Sequence, residues 1–268
     1  MDSIRQAVEL ARARQTKPAQ AGGGLVDLSV DSHPSSPAGE TRLNAAHLEA
    51  SRIVAHLPSA EPGRYYDMLR TQVLQEMDKK SWQFLAITSP TPGCGKTVTS
   101  CNLAISISRL PERTVLLVDL DMRKPMVSQY LGLAKSGGVL SVLEGRSTLA
   151  SEIVRARIGP SAIFVLPGSA CPSESSEWMS SQVMGGLLQA IKREFRSTIV
   201  IFDLPPILLG DDVISILPRM DAALLVASVG STSVADIKEC QRHLQRTPIA
   251  RLIVNKVTEP VGSPYGYY

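Results

Sequence analysis

Apolar and polar positions change period several times along the chain, and each change predicts an element. Short, almost unbroken apolar or β-branched runs stand at Phe84–Ile87, Thr114–Asp119, Ala162–Leu166, Thr198–Asp203, Ala222–Ser228 and Arg251–Asn255. Runs of this length and uniformity read as strands buried on both faces, as in a parallel sheet. Helical spacing lies between them, from Val98 to a stop near Leu110 and Pro111, over Met179–Arg193 and over Val234–Arg246. Upstream, Leu43, Ala46, Ala50, Ile53, Val54 and Leu57 predict a helix over 42–57, and Leu69, Val73 and Leu74 predict another from about Arg64 to Lys79. The alternation predicts an α/β fold, a doubly wound and mainly parallel sheet with ligands at the carboxyl ends of its strands.

The ends of the chain differ from this middle. Residues 1–15 read as a short basic amphipathic helix, with Ile4, Val8 and Ala11 on one face and Arg5, Arg12 and Arg14 on the other. Such a helix docks on a partner or on lipid headgroups, or stays solvated. Residues 16–40, rich in Gly, Pro and Ser, read as a flexible linker. The expected domain is 41–262, and 263–268 is a tail holding Tyr265, Tyr267 and Tyr268. Exposed tail tyrosines fit no core and suit a substrate role.

Composition narrows the class. A net charge of +3 over 268 residues is too small for a nucleic-acid signature, so no nucleic-acid partner is expected. The longest apolar run, Ala222–Ala227, is far below a membrane span of about 18 residues, and no apolar h-region follows the N-terminus. A cytoplasmic protein is expected. Cys94, Cys101, Cys171 and Cys240 lack zinc-site spacing and do not group with the histidines, which argues against a structural metal or a disulfide framework.

The candidate chemistry starts after the first of these strands. Pro90, Pro92, Gly93, Cys94 and Gly95 form a loop that opens onto Lys96, Thr97 and Val98. A strand, a Gly/Pro loop and a helix opening on Gly-Lys-Thr make a phosphate-binding loop. Its N–H groups and the positive helix end would hold an anionic phosphate chain. Pro90 stands where the full motif has glycine. Cys94 reads either as a small residue fitting a tight loop or as a redox-sensitive thiol at a helix N-terminus. Two later strands end in acid, Val115–Asp119 followed by Leu120, Asp121, Met122 and Arg123, and Ile199–Asp203 followed by Leu204, Pro205 and Pro206. An aspartate behind a buried strand needs a partner, and Mg²⁺ with nucleotide at the sheet edge is one.

These three segments resemble the Walker A, A′ and B motifs of the bacterial tyrosine kinases of capsular and exopolysaccharide synthesis. The resemblance covers about residues 60–268. It implies a P-loop NTPase fold of the deviant Walker A (MinD/ParA-like) type and an ATP-dependent protein-tyrosine kinase that autophosphorylates Tyr265, Tyr267 and Tyr268. By resemblance Lys96 neutralises the β/γ-phosphates, and Thr97 with Asp203 holds Mg²⁺. Asp119 takes the tyrosine proton, Asp121 steadies Lys96 or the metal's outer shell, and Arg123 stabilises phosphate charge or the aspartate pair. The loop residues 92–98 bind the nucleotide, and Asn255, in Leu252–Lys256, is expected near adenine. Leu166-Pro-Gly and the following Cys-Pro-Ser-Glu174 are similar to a further family segment.

Arg64-x-x-Asp67-x-x-Arg70 stands where the family carries Glu-x-x-Arg-x-x-Arg for ring assembly, and Cys94 stands where it often has an acidic residue. The implied partners are a membrane adaptor of the co-polymerase type, further copies of the chain in a ring or dimer, and a tyrosine phosphatase. The implied location is the inner face of the cell membrane, through the adaptor. Two other readings stay open, a ParA/MinD-type switch ATPase without kinase activity and a non-catalytic nucleotide-sensing scaffold.

Overall fold

The computed structural model describes residues 39–57 and 61–257. The basic N-terminal helix, most of the linker and the tyrosine tail lie outside the described residues. The chain runs β1 (Gly39–Arg42), α1 (Ala45–Ala50), α2 (Glu61–Lys80), β2 (Phe84–Thr88), α3 (Lys96–Ser108), β3 (Thr114–Asp119), α4 (Val127–Leu131), α5 (Gly138–Leu143), α6 (Leu149–Glu152), β4 (Val154–Ile158) and β5 (Ser161–Leu166). It continues through α7 (Ser175–Ser180), α8 (Gln182–Glu194), β6 (Thr198–Asp203), α9 (Asp212–Ile216), β7 (Ala222–Ser228), α10 (Val234–His243) and β8 (Ile249–Asn255), with short 3-10 turns at Ile207–Leu209 and Leu217–Arg219.

The strands form one eight-stranded sheet in the order β1-β4-β5-β3-β6-β2-β7-β8. Every pairing is parallel except β4 with β5. The six strands expected from apolar runs are all present. Side chains alternate across the sheet and feed two cores. Phe84, Ala86, Leu116, Val118, Val200 and Phe202 pack with Met179, Leu188 and Ile191 of the helices on one face. On the other face Leu85, Ile87, Leu117 and Ile201 pack with Val73, Met77, Cys101 and Leu103. This sandwich fixes the strand ends that carry the acids.

Three expectations need correction. The apolar spacing over 42–57 does not form one helix. The six-residue α1 ends at Ala50, because Arg52 takes a left-handed φ of 62°. The loop that follows is held instead by Asn102 of α3, whose Oδ1 accepts from Val54 N (2.7 Å) and Ala55 N (2.9 Å) and whose Nδ2 donates to Arg52 O (3.0 Å). The helix over Met179–Arg193 is two, broken at the extended Ser181, whose hydroxyl accepts from Met184 N and caps α8. Finally, the sheet begins at Gly39, inside the stretch read as linker, and β4 adds a second strand that apolar runs do not mark.

Candidate nucleotide site

The phosphate loop follows β2, at the carboxyl edge of the sheet. Gly93 and Gly95 adopt φ of 78° and 95°, which suits glycine far better than other residues. Gly95 is doubly constrained, since a Cβ there would stand 2.2 Å from Asn255 Nδ2. The 13-residue α3 then starts on Lys96 with its first N–H groups turned toward the loop. The neighbouring strand end brackets the loop. Leu204 N donates to Ile87 O, Ile207 N to Ser89 O, and Thr88 Oγ1 to Pro205 O.

The three acidic positions come together here. Asp119 and Asp203 are the last residues of β3 and β6 and face each other in register. Thr97 Oγ1 donates to Asp203 Oδ2 at 2.7 Å, and Ser100 Oγ donates to Asp203 Oδ1 at 3.0 Å. Lys96 Nζ lies 2.7 Å from Asp121 Oδ2 and 3.7 Å from Asp203 Oδ2. Burial works against the Lys96 charge, but Asp203 and Asp121 outweigh it and raise the ammonium's pKa. Burial, reinforced by the Asp203 charge, pushes the Asp119 carboxyl up to about 8. Burial also raises Asp203, against the pull of Lys96 and the two hydroxyls.

Asp119 is withdrawn from the cleft. It is 1% exposed, and its oxygens accept from Asp121 N (3.1 Å) and Val127 N (3.0 Å). Gly168 lies against it, where a Cβ would stand 2.8 Å from the Asp119 Cγ, which gives the Leu166-Pro-Gly segment a steric reason. The carboxylate that lines the cleft is Asp121. That cleft, of about 260 Å³, is also lined by Pro92, Lys96, Thr97, Arg123 and Tyr130.

Other residues singled out from sequence take more specific places. Arg123 does not reach the aspartate pair. Its Nε donates to Asp212 Oδ2 at 2.7 Å, and the buried Asp212 also accepts from Ser175 Oγ. Asn255, ending β8, donates from Nδ2 to Cys94 O at 2.9 Å and so clamps the phosphate loop. Cys94 is buried, with Sγ 3.5 Å from Thr91 Oγ1 and 3.6 Å from Thr232 Oγ1. Burial alone would raise its thiol, but these hydroxyls bring it below the ordinary value. Asp67 binds within its own chain, accepting from Arg70 (3.1 Å), Arg109 (2.8 Å) and Ser106 Oγ (2.6 Å), while Arg64 is exposed. Asp212, Ser100 and Ser175 are the polar groups that sequence reasoning missed. An acid at the start of a short helix carries no motif, but a buried serine one turn after Gly-Lys-Thr could have been read as facing the metal side.

A family model described as the CobQ/CobB/MinD/ParA nucleotide binding domain matches residues 85–264, the span that carries every group just described except those of α2. The chain belongs to that family. It is thus a nucleotide-binding domain, and the cleft at the end of β2 is where its motifs converge. Among its relatives, a protein of Ralstonia solanacearum named putative tyrosine-protein kinase EpsB is 31% identical over 228 residues, 85% of this chain and 29% of the relative. The chain therefore spans less than a third of that relative's length. Tyrosine-protein kinase YwqD of Bacillus subtilis is 29% identical over 225 residues, 83% of this chain and 93% of the relative. Among solved structures, the kinase domain of the Escherichia coli tyrosine kinase ETK superposes with a TM-score of 0.69 at 26% identity, over 80% of this chain and 84% of that one. No helix among the described residues is long and apolar enough to cross a membrane.

Proposed function

We propose that the chain is an ATP-dependent protein-tyrosine kinase that phosphorylates its own C-terminal tyrosines and regulates exopolysaccharide or capsule polymerisation or export. The observation that carries this reading is the set Lys96, Thr97, Asp121 and Asp203, held within hydrogen-bond or ion-pair distance at the mouth of the phosphate loop. The names of the relatives support it.

The residues fit a nucleotide with Mg²⁺. Thr97 Oγ1 and Asp203 Oδ2 supply two oxygens side by side, and Mg²⁺ commonly takes only one or two protein oxygens and completes its shell with phosphates and water. When bound, the ion neutralises charge on the transferring phosphate. Lys96 balances the β/γ-phosphates, and Asp121 holds the Lys96 ammonium in place. The tyrosine oxygen forms a bond to the γ-phosphorus as the bond to the ADP oxygen breaks. The phenolic proton passes to Asp119, which requires its Val127 N–H bond to open so that the carboxyl reaches the cleft. A dication held beside Asp203 would favour the ionised form of Asp119 that can accept this proton.

The tail tyrosines lie outside the described residues. Tyr265 is 8 residues beyond Val257, a reach of at most about 29 Å, enough to enter a site on the same or a neighbouring subunit. The exposed Arg64, Tyr65 and Met68 on α2 are the surface offered for ring or dimer assembly. A membrane adaptor of the co-polymerase type would hold the kinase at the inner face of the membrane, and a tyrosine phosphatase would reset the tail.

Intact-mass spectrometry with peptide mapping, after incubation with ATP and Mg²⁺, tests the reading. Stepwise phosphate gain on Tyr265, Tyr267 and Tyr268, absent in Lys96→Met, is expected. Phosphate release without phosphotyrosine overturns the kinase in favour of a switch ATPase. Neither signal, with the membrane fraction added, leaves a nucleotide-sensing scaffold.

A further inference from the structure

At the amino-terminal edge of the sheet, away from the nucleotide cleft, lies a second cavity of about 710 Å³. It is bounded by the end of β1, the Gly159–Pro160 turn between β4 and β5, and the last turn of α3. Arg42, His56 and Arg109 line it together with Leu43, Ile105 and Ile158.

Among the described residues, one buried polar group here lacks a partner, and two arginines beside it keep donors facing the cavity and solvent. The His56 side chain is 7% exposed, yet neither ring nitrogen has a hydrogen-bond partner among the described residues. The Glu49 carboxylate stands 3.7 Å from Nε2, beyond hydrogen-bond range. A buried imidazole without a partner is costly and calls for an explanation. Arg42 makes no ion pair among the described residues, although Arg155 and Arg157 nearby share Glu40. Arg109 spends only Nη1 on Asp67 and Ala55 O, which leaves Nη2 and Nε as donors among the described residues. Two guanidinium groups and an imidazole beside an apolar wall match an anion with several acceptor oxygens on an apolar body.

We propose that this cavity is a binding site for a small phosphomonoester bearing an apolar group, separate from the nucleotide site. A carboxylate satisfies fewer of these donors than the three oxygens of a phosphate, and a free nucleotide is already served by the loop at the other end of α3. The two sites lie about 20 Å apart along that helix, at 1.5 Å per residue over its 13 residues. Bound phosphate would also draw on Arg109, which anchors Asp67 of α2, so occupancy reaches the surface offered for assembly.

Phenyl phosphate is the probe, titrated into the 268-residue chain saturated with ADP and Mg²⁺ so that the nucleotide cleft is filled. The His56 ring is followed by NMR with ¹³C-labelled histidine. A saturable shift of the His56 resonance is expected, weakened about tenfold in Arg42→Ala, a loss typical of one charged hydrogen-bond partner. Lys96→Met is expected to leave it unchanged, and benzyl alcohol to give no saturable shift. The absence of a saturable shift overturns the proposal. So does unchanged affinity in Arg42→Ala, or binding that ADP or Lys96→Met abolishes, which would place the probe in the nucleotide cleft. None of these readouts depends on kinase activity.

Discussion

Asp119 and Asp203 end neighbouring strands in register, so a rise in pH forces charge onto the buried Asp119 beside a second carboxyl whose pKa burial also raises. The consequence is a ligand-free protein that loses stability as pH rises through the neutral range. An unfolded aspartate titrates near 3.9, whereas native Asp119 titrates at about 8. Between these values the native state holds a proton that the unfolded state has released. The stabilisation is therefore complete below the unfolded value and is lost as pH climbs through the folded one. One such group gives a slope of about 1.36 kcal/mol per pH unit, or about 2.7 kcal/mol between pH 5 and pH 7.

Urea unfolding of the ligand-free protein at constant ionic strength, from pH 5 to pH 8.5, measures the slope directly. Asp119→Asn is the deciding variant. Its amide faces two backbone donors with only one acceptor oxygen, so near pH 5, where the wild type is most stable, it costs roughly 1–3 kcal/mol, and the deficit shrinks as the wild type loses stability with rising pH. The same change removes the titration, so stability should become nearly flat across the window. Saturating ADP and Mg²⁺ should flatten the wild type as well, because a dication beside Asp203 favours both charged carboxyls. Wild-type stability that is flat or rising between pH 5 and pH 7 would refute the reasoning. A slope that survives in Asp119→Asn would also do so, by assigning it to another group.

Asn255→Ala removes the donor that holds Cys94 O and should cost about 1–2 kcal/mol of stability and about tenfold in ADP affinity by calorimetry. Gly95→Ala should lose binding even in that background, because its φ of 95° stays strained after the clash is gone. Asp212→Asn weakens the anchor of the partly exposed Arg123 by neutralising its buried partner. It should lower stability by no more than about 2 kcal/mol while slowing the proposed tyrosine phosphorylation about tenfold, and a full-rate variant would separate Arg123 from that reaction.

The sequence carried the central sheet because a strand buried on both faces has to be apolar along its middle, and β2, β3, β6 and β7 are apolar between their polar ends. β1 and β4 escape the same reasoning. Gly39–Arg42 is an exposed edge strand, and β4 alternates Arg155 and Arg157 with apolar residues so that both arginines reach Glu40. Charge on an edge prevents further pairing, and it also erases the hydrophobic run by which a strand is recognised.

The site divides along the same line. Lys96, Thr97, Asp119, Asp121 and Asp203 were legible because local geometry puts each at a strand end or helix start, where an isolated polar residue stands out. What could not be read was which atom meets which. Asp119 turns inward to two N–H groups while Asp121 takes Lys96, a choice made by the turn after β3 and by Gly168 packed against it. Arg123 finds Asp212 across 89 positions, and Asn255 finds the loop across 161. Contacts of that separation depend on how the sheet is ordered, so they become visible only once β8 stands beside β7 and β7 beside β2. Asn255 shows the difference most clearly. The family resemblance implies a place near the base for it, and in the ligand-free chain its amide holds the loop's own backbone. Asn255 is thus coupled to nucleotide binding at least through the shape of the phosphate loop.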